Sequence, residues 1–268
     1  MFEPYQIITL PAFQNNYLWL LHDAQSAVLV DPGDASICIA ALKENNLQLD
    51  AVLVTHHHND HTGGLAQIQQ QFNCPIYGPD DLRIPYITHK LKERDVVNWK
   101  SHVFQIWRTP GHTNSHIVYW NSLAAHLFCG DILFGAGCGR NMEGDVSDLF
   151  HSLQRISKLP ENTQIFCAHE YTQVNLDFAQ TVEPDNKPIA ERIQQTAHLL
   201  KAGQPTIPTK LDIEIATNPF LRSHLESIRK KLDRISLQPE IQAFIQPFHF
   251  QSKDEYYFAI MRGWKNIH

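Results

Sequence analysis

Val54-Thr55-His56-His57-His58-Asn59-Asp60-His61-Thr62-Gly63-Gly64 is the stretch on which the fold turns. It follows directly on Ala51–Val54, a short apolar run that reads as a buried strand. Alternate residues of an extended chain share a face, so His56 and His58 point one way and His57 the other. A turn then brings Asp60 and His61 round to the same place before a helix over Leu65–Phe72 begins. Imidazole nitrogen and carboxylate oxygen are ligands for zinc, iron or manganese, and no thiolate is needed. Four such groups so close together can serve two metals once distant residues complete each shell. His57, facing away, reads as a supporting or structural residue.

Distant residues of the right kind recur downstream. Thr109-Pro110-Gly111-His112-Thr113 follows the strand pattern of His102–Trp107. Cys129-Gly130-Asp131 closes the run that starts at His126, and Ala168-His169-Glu170-Tyr171 follows Gln164–Cys167. Each candidate sits just past the C-terminal end of an apolar run, where open α/β sheets place their sites. Asp31, after the run Ala27–Val30, has two readings. It orients a ligand imidazole, or it simply forms the turn ahead of Pro32-Gly33.

Around this series the first half is strand-rich, with strands at Tyr17–Leu21, Ala27–Val30, Pro75–Tyr77 and Ile117–Trp120 and helices at Ser36–Glu44 and Val146–Ser157. Near residue 170 the apolar spacing turns helical, over Val174–Val182, Pro188–Ala202 and Asn218–Ile235. Pro188 and Pro219 suit first helical turns, where a missing N–H costs nothing. The pattern predicts an α/β domain over residues 1–170 and a smaller α-helical domain over 171–268. The hydrophobic share of 43% and charged share of 19% are ordinary for a chain with a real core. A net charge of −6 argues against nucleic acid as a partner. Five scattered cysteines without a CxxC pair favour a reducing compartment over a disulfide framework. The start MFEPYQIITLPAF carries no signal-peptide pattern, and no apolar run is long enough to span a membrane, so a cytoplasmic protein is expected.

THHHNDHTGG resembles the HxHxDH signature of the metallo-β-lactamase superfamily. The resemblance implies an α/β fold, an αββα four-layer sandwich with metals at one edge, followed here by the smaller α-helical C-terminal domain. It also implies a ligand assignment. One metal takes His56, His58 and His112, the other takes Asp60, His61 and His169, and Asp131 bridges them. Leu133-Phe134-Gly135-Ala136-Gly137-Cys138-Gly139-Arg140, the segment His169-Glu170-Tyr171-Thr172 and the closing Phe258-Ala259-Ile260-Met261-Arg262-Gly263-Trp264-Lys265 are similar to three segments of glyoxalase II, the hydroxyacylglutathione hydrolases. The likeness runs from about residue 5 to 265.

That resemblance implies hydrolysis of S-D-lactoylglutathione to D-lactate and glutathione, the second step of methylglyoxal detoxification. A metal-bridging hydroxide would attack, with Asp60 and Asp131 as the catalytic carboxylates. The expected cofactors are two divalent ions, zinc first, with iron or manganese as substitutes. Arg140, Tyr171, Asn175, Arg262 and Lys265 are the implied glutathione-binding residues, and a monomer is expected. Arg262 and Lys265 at i, i+3 would share one helix face. Met142 departs from the family, where an aromatic residue is common; Met packs but donates no hydrogen bond. Rival activities on the same fold are a lactonase or other hydrolase and a persulfide dioxygenase with a single iron.

Overall fold

The apolar runs of the first half become strands because both faces of the sheet they form are covered. The computed structural model describes residues 5–268; the first four residues, part of the start read as lacking a signal pattern, lie outside the described residues. The chain forms two compact units, each built from separated stretches. The first comprises residues up to Arg108, Ser115–Gly130 and Phe166–His169. The second comprises Thr109–Asn114, Asp131–Ile165 and Glu170–His268.

In the first unit the elements run β1 (Gln6–Ala12), β2 (Asn16–His22), β3 (Ser26–Val30), α1 (Ala35–Glu44), β4 (Gln48–Leu53), α2 (Asn59–Thr62), α3 (Leu65–Phe72), β5 (Ile76–Pro79), β6 (His89–Leu91), β7 (Val96–Trp99), β8 (His102–Arg108), β9 (Ile117–Asn121) and β10 (His126–Gly130). One sheet has the order β1-β2-β3-β4-β5-β6, antiparallel as far as β3 and parallel beyond. The strands β10-β9-β8-β7 form an antiparallel second sheet. Side-chain alternation fixes what each face meets. Leu18, Leu20, Leu29 and Val52 join Cys38, Leu42, Leu65 and Ile68 of α1 and α3 in one buried cluster. Trp19, between two of them, packs edge-on against Phe166 at 5.1 Å and donates its indole N–H to the Cys167 carbonyl. Tyr119 of β9 donates its buried hydroxyl to the Val54 carbonyl at the end of β4, 2.8 Å away. Burial of this kind contributes roughly 1.5–3 kcal/mol per large apolar side chain. The result is a rigid strand end immediately before His56.

The second unit holds β11 (Leu133–Phe134), β12 (Gly137–Cys138), α4 (Val146–Ile156), the first half of β13 (Gln164–Cys167), α5 (Thr172–Val182), α6 (Lys187–Lys201), β14 (Thr209–Lys210), α7 (Leu211–Thr217), α8 (Pro219–Arg222), α9 (Glu226–Ile235), α10 (Pro239–Ile245) and α11 (Lys253–Ile267). Pro188, Pro219 and Pro239 all lie in first helical turns, where no N–H is missed. The single helix expected over Asn218–Ile235 is two, α8 and α9. Leu225 is extended at the break, yet Phe220, Leu221, Ile228 and Leu232 are all buried. Both pieces bury an apolar face, which hides the break in the periodicity. Phe178 joins α5 to α8 and α11 through Phe220 and Trp264. Among the described residues no helix is long and apolar enough to cross a membrane.

Candidate metal centre

Asp60, His61 and His169 bring one ligand atom each within 4.8 Å of one another. Asp60 and His61 ride on the single turn of α2, and His169 follows β13. A Cβ on Gly33 would lie 1.8 Å from the Asp60 carbonyl oxygen, so the turn carrying Asp60 can seat only against glycine. Asp60 Oδ2 lies 3.5 Å from His61 Nε2 and 3.3 Å from His169 Nε2. His56 and His58 face one another, as strand alternation predicts, with Nε2 and Nδ1 at 3.0 Å. His57 packs edge-on against His58 at 4.7 Å but turns its Nδ1 toward Asp81, 3.7 Å away. The Arg83 guanidinium holds the Asp81 carboxyl well below the usual carboxylate range.

The rings of His56, His61 and His169 each have a second nitrogen anchored. A carboxylate only accepts, so His61 Nδ1 donates to Asp31 Oδ2 at 3.0 Å. Thr55 donates its hydroxyl to the same oxygen at 2.7 Å and so accepts from His56 Nδ1 at 3.0 Å. Asp31 Oδ1 takes the Thr55 backbone N–H at 2.7 Å. Asp31 thus anchors the His61 ring directly and the His56 ring through Thr55, as the first of its two readings expects, while its carbonyl accepts the Gly33 N–H in the turn of the second. His169 Nδ1 meets Asn15 Oδ1 at 3.0 Å, and Asn16 donates to Asp60 Oδ2 at 2.8 Å. Anchors of this kind fix tautomer and ring direction at metal sites.

In the second unit His112 Nε2 and Asp131 Oδ2 are 3.5 Å apart. His112 Nδ1 donates to the Arg140 carbonyl at 2.9 Å, the same anchoring device. Two ligands about 2.1 Å from one tetrahedral ion stand about 3.4 Å apart. The separations of 3.0 to 3.5 Å within each unit fit that spacing. The donor set of imidazoles and carboxylates fits divalent metal ions.

The implied substrate residues all fall in the second unit. Arg140 is exposed at the end of the loop after β12. Tyr171 packs edge-on against Phe134 at 5.2 Å, and Asn175 donates to the Gly135 carbonyl at 3.0 Å. Arg262 and Lys265 lie one turn apart on α11. Arg262 is buried and donates to the carbonyls of Cys138 (3.1 Å) and Gly139 (3.4 Å). Lys265 is half-buried, donates to the Val174 carbonyl at 3.1 Å, and has its pKa lowered to about 8, first by burial and then by Arg262. Met142 is exposed.

Asn15, Asn16, Thr55 and the buried His116, stacked on His56 at 4.9 Å, touch the candidate cluster and were not singled out by the sequence reading. Thr55 borders the cluster and could have been found by adjacency. Asn15 meets His169 across 154 residues of chain, with no local pattern to betray it.

Residues 10–169 match the model of the metallo-beta-lactamase superfamily, and residues 170–268 match that of the hydroxyacylglutathione hydrolase C-terminus. The hydroxyacylglutathione hydrolase of Pseudomonas aeruginosa is 42% identical over 265 residues, spanning 97% of this chain and 98% of that one. The chain belongs to the hydroxyacylglutathione hydrolase family. Its solved structural neighbours include the B3 metallo-beta-lactamase BLEG-1, with a TM-score of 0.61, 25% identity and coverage of 81% and 99% of the two chains. Another is TTHA1623 in a di-iron-bound form, with a TM-score of 0.53, 29% identity and coverage of 61% and 91%. The chain thus has the α/β metallo-β-lactamase fold with a helical C-terminal region.

Proposed function

We propose that this protein hydrolyses S-D-lactoylglutathione and related 2-hydroxyacyl glutathione thioesters to the hydroxy acid and glutathione. The observation that carries the reading is the match of the whole helical C-terminus, residues 170–268, to the hydroxyacylglutathione hydrolase C-terminal model, beside a cluster of anchored metal-ligating side chains. His56, His58 and His112 would hold one metal and Asp60, His61 and His169 the other, with Asp131 shared. Zinc is the proposed metal, and iron or manganese suits the same donors. Such ions lower the pKa of a coordinated water to about 7 and polarise a carbonyl.

The chain's own residues do the rest. Asp60 and Asp131 are acceptors only and orient the attacking water through its protons. A C–O bond forms at the thioester carbon and the C–S bond breaks. The thiolate leaves without a strong general acid, because its conjugate thiol has a pKa of about 8.5. Arg140, Tyr171, Asn175, Arg262 and Lys265, within the domain 171–268 and the loop that ends at Arg140, recognise the glutathione moiety. Its carboxylates suit Arg and Lys. Met142 offers packing alone. The protein acts as a cytoplasmic monomer, with neither nucleic acid nor membrane as partner.

Loss of thioester absorbance with purified, metal-analysed protein tests the activity. No turnover with zinc, iron or manganese would reject it, and oxygen uptake with glutathione persulfide would assign a dioxygenase instead. Lys265 adds a signature. Burial lowers its pKa, so its charge is present below about pH 8 and lost above it. KM for the thioester should therefore rise through pH 8, by about tenfold for one lost charge-assisted hydrogen bond. Lys265→Arg, charged throughout, should flatten the rise. A wild-type KM independent of pH between 7 and 9 would remove Lys265 from the binding site.

A further inference from the structure

Most carbonyls of the loop from Phe134 to Arg140 are gripped by side chains. Asn218 Nδ2 donates to those of Gly137 (2.9 Å) and Phe134 (3.4 Å), and Asn175 to that of Gly135 (3.0 Å). Arg262 takes Cys138 and Gly139, and His112 takes Arg140. Ala136, at φ 53°, makes the opposite contact: its N–H goes to Glu214 Oε2 at 2.8 Å. Glu214 is fully buried on α7. Its other oxygen receives Arg192 Nη2 at 2.5 Å and the Thr209 hydroxyl at 2.9 Å, and Asn218 Nδ2 reaches Oε2 at 3.0 Å.

A buried ion pair is weak evidence for stability, because desolvation offsets most of its attraction. This pair has a specific job in view. Glu214 accepts the loop's N–H and also orients the amide that grips two loop carbonyls. The same loop ends in the carbonyl that sets the His112 ring. With Nδ1 donating to Arg140, His112 keeps Nε2 unprotonated toward Asp131. A displaced loop lets the proton move to Nε2, which then cannot ligate.

We propose that Glu214, charge-balanced by Arg192, is a positioning residue for the metal centre, acting through the Ala136 turn and the Arg140 carbonyl on His112. The inference rests on the ligand role of His112 given above, and His112→Ala tests that role separately.

Zinc affinity of the metal-free protein, measured by competition with a chromophoric chelator, is the readout. His112→Ala sets the size of the loss when the ligand itself is gone. Arg192→Met with Glu214→Met removes charge and acceptor together, and should weaken one zinc by about 10–100-fold. Arg192→Met with Glu214→Gln keeps a carbonyl to accept from Ala136 and should restore most of that affinity. Equal, undiminished affinity in both double variants, with His112→Ala defective, overturns the Glu214 inference. Undiminished affinity in His112→Ala overturns the ligand reading instead. Should the Met–Met variant fail to fold, amide exchange of the wild type decides. Coupling is reciprocal, so zinc must slow exchange at Ala136 and Gly139. Exchange there unchanged by zinc overturns the proposal.

Discussion

Asp31→Asn is expected to fold and to lose tight binding at the Asp60–His61–His169 cluster, with kcat/KM falling by about 10–100-fold for an outer anchor of this kind. The fold tolerates the change because Asn accepts the positive φ of 51° that residue 31 adopts. The hydrogen bonds do not tolerate it. Three donors converge on the carboxylate: the Thr55 N–H, the Thr55 hydroxyl and His61 Nδ1. An amide offers one oxygen and one NH₂ group. If its oxygen faces the Thr55 hydroxyl and His61, its NH₂ confronts the Thr55 N–H. If it turns over, the NH₂ faces His61 Nδ1 and drives that proton to Nε2, the nitrogen aimed at Asp60. The Thr55 hydroxyl must then accept from that NH₂ and loses the oxygen that took its own proton, which unsettles the group His56 leans on. Metal analysis after dialysis and chelator titration read the effect. Wild-type affinity in Asp31→Asn, with intact thermal stability, would show that Asp31 is no more than a turn residue. Asp31→Ala leaves the buried Thr55 N–H without its acceptor, at a cost of about 1–3 kcal/mol, and should lower Tm as well.

The candidate ligand series could be read in the sequence because each candidate follows a strand, and strands carry a local apolar signature. What anchors these candidates could not. Asn15 ends a short turn and Asn16 opens β2, and only the fold brings them to His169 and Asp60. β1 escaped for a local reason: it is an edge strand with only two buried residues and a proline at position 11, and proline inside a run argues against a strand. Nothing local marks Arg192 and Glu214 for burial, since such residues are almost never fully buried unless paired. Their pairing joins α6 to α7, so no window of sequence contains it. Arg262 illustrates the same limit. Its helix spacing with Lys265 was legible, whereas its burial against the Cys138 and Gly139 carbonyls depends on the second unit as folded. Periodicity reports which face is covered, and only tertiary structure reports by what.

Gly139→Ala should be the most damaging change that touches no ligand. The position has no side chain to lose, and what forbids one is space. A Cβ at Gly139 would lie 2.0 Å from the Asp131 carbonyl oxygen and 3.3 Å from His112 Nδ1. Real Cβ contacts stay beyond 3.0 Å, so the gap to Asp131 must open from 2.0 Å by an ångström or more. Asp131 backbone and loop are joined there by the Gly139 N–H to Ile132 carbonyl bond of 3.2 Å, so both move together. His112 moves with them, because its Nδ1 bonds the next carbonyl, Arg140. A 1 Å error at reacting groups costs about 10²-fold, and here two proposed ligands are displaced at once. A fall in kcat/KM of at least that size is expected, with reduced zinc stoichiometry. Gly203→Ala supplies the control: φ is +68° and nothing lies within 4 Å of a Cβ there. That change should cost roughly 1–2 kcal/mol of stability from the left-handed backbone and leave kcat/KM intact. If Gly139→Ala behaves like Gly203→Ala, stable metal content and full turnover included, then Asp131 and His112 do not act together at the reacting centre.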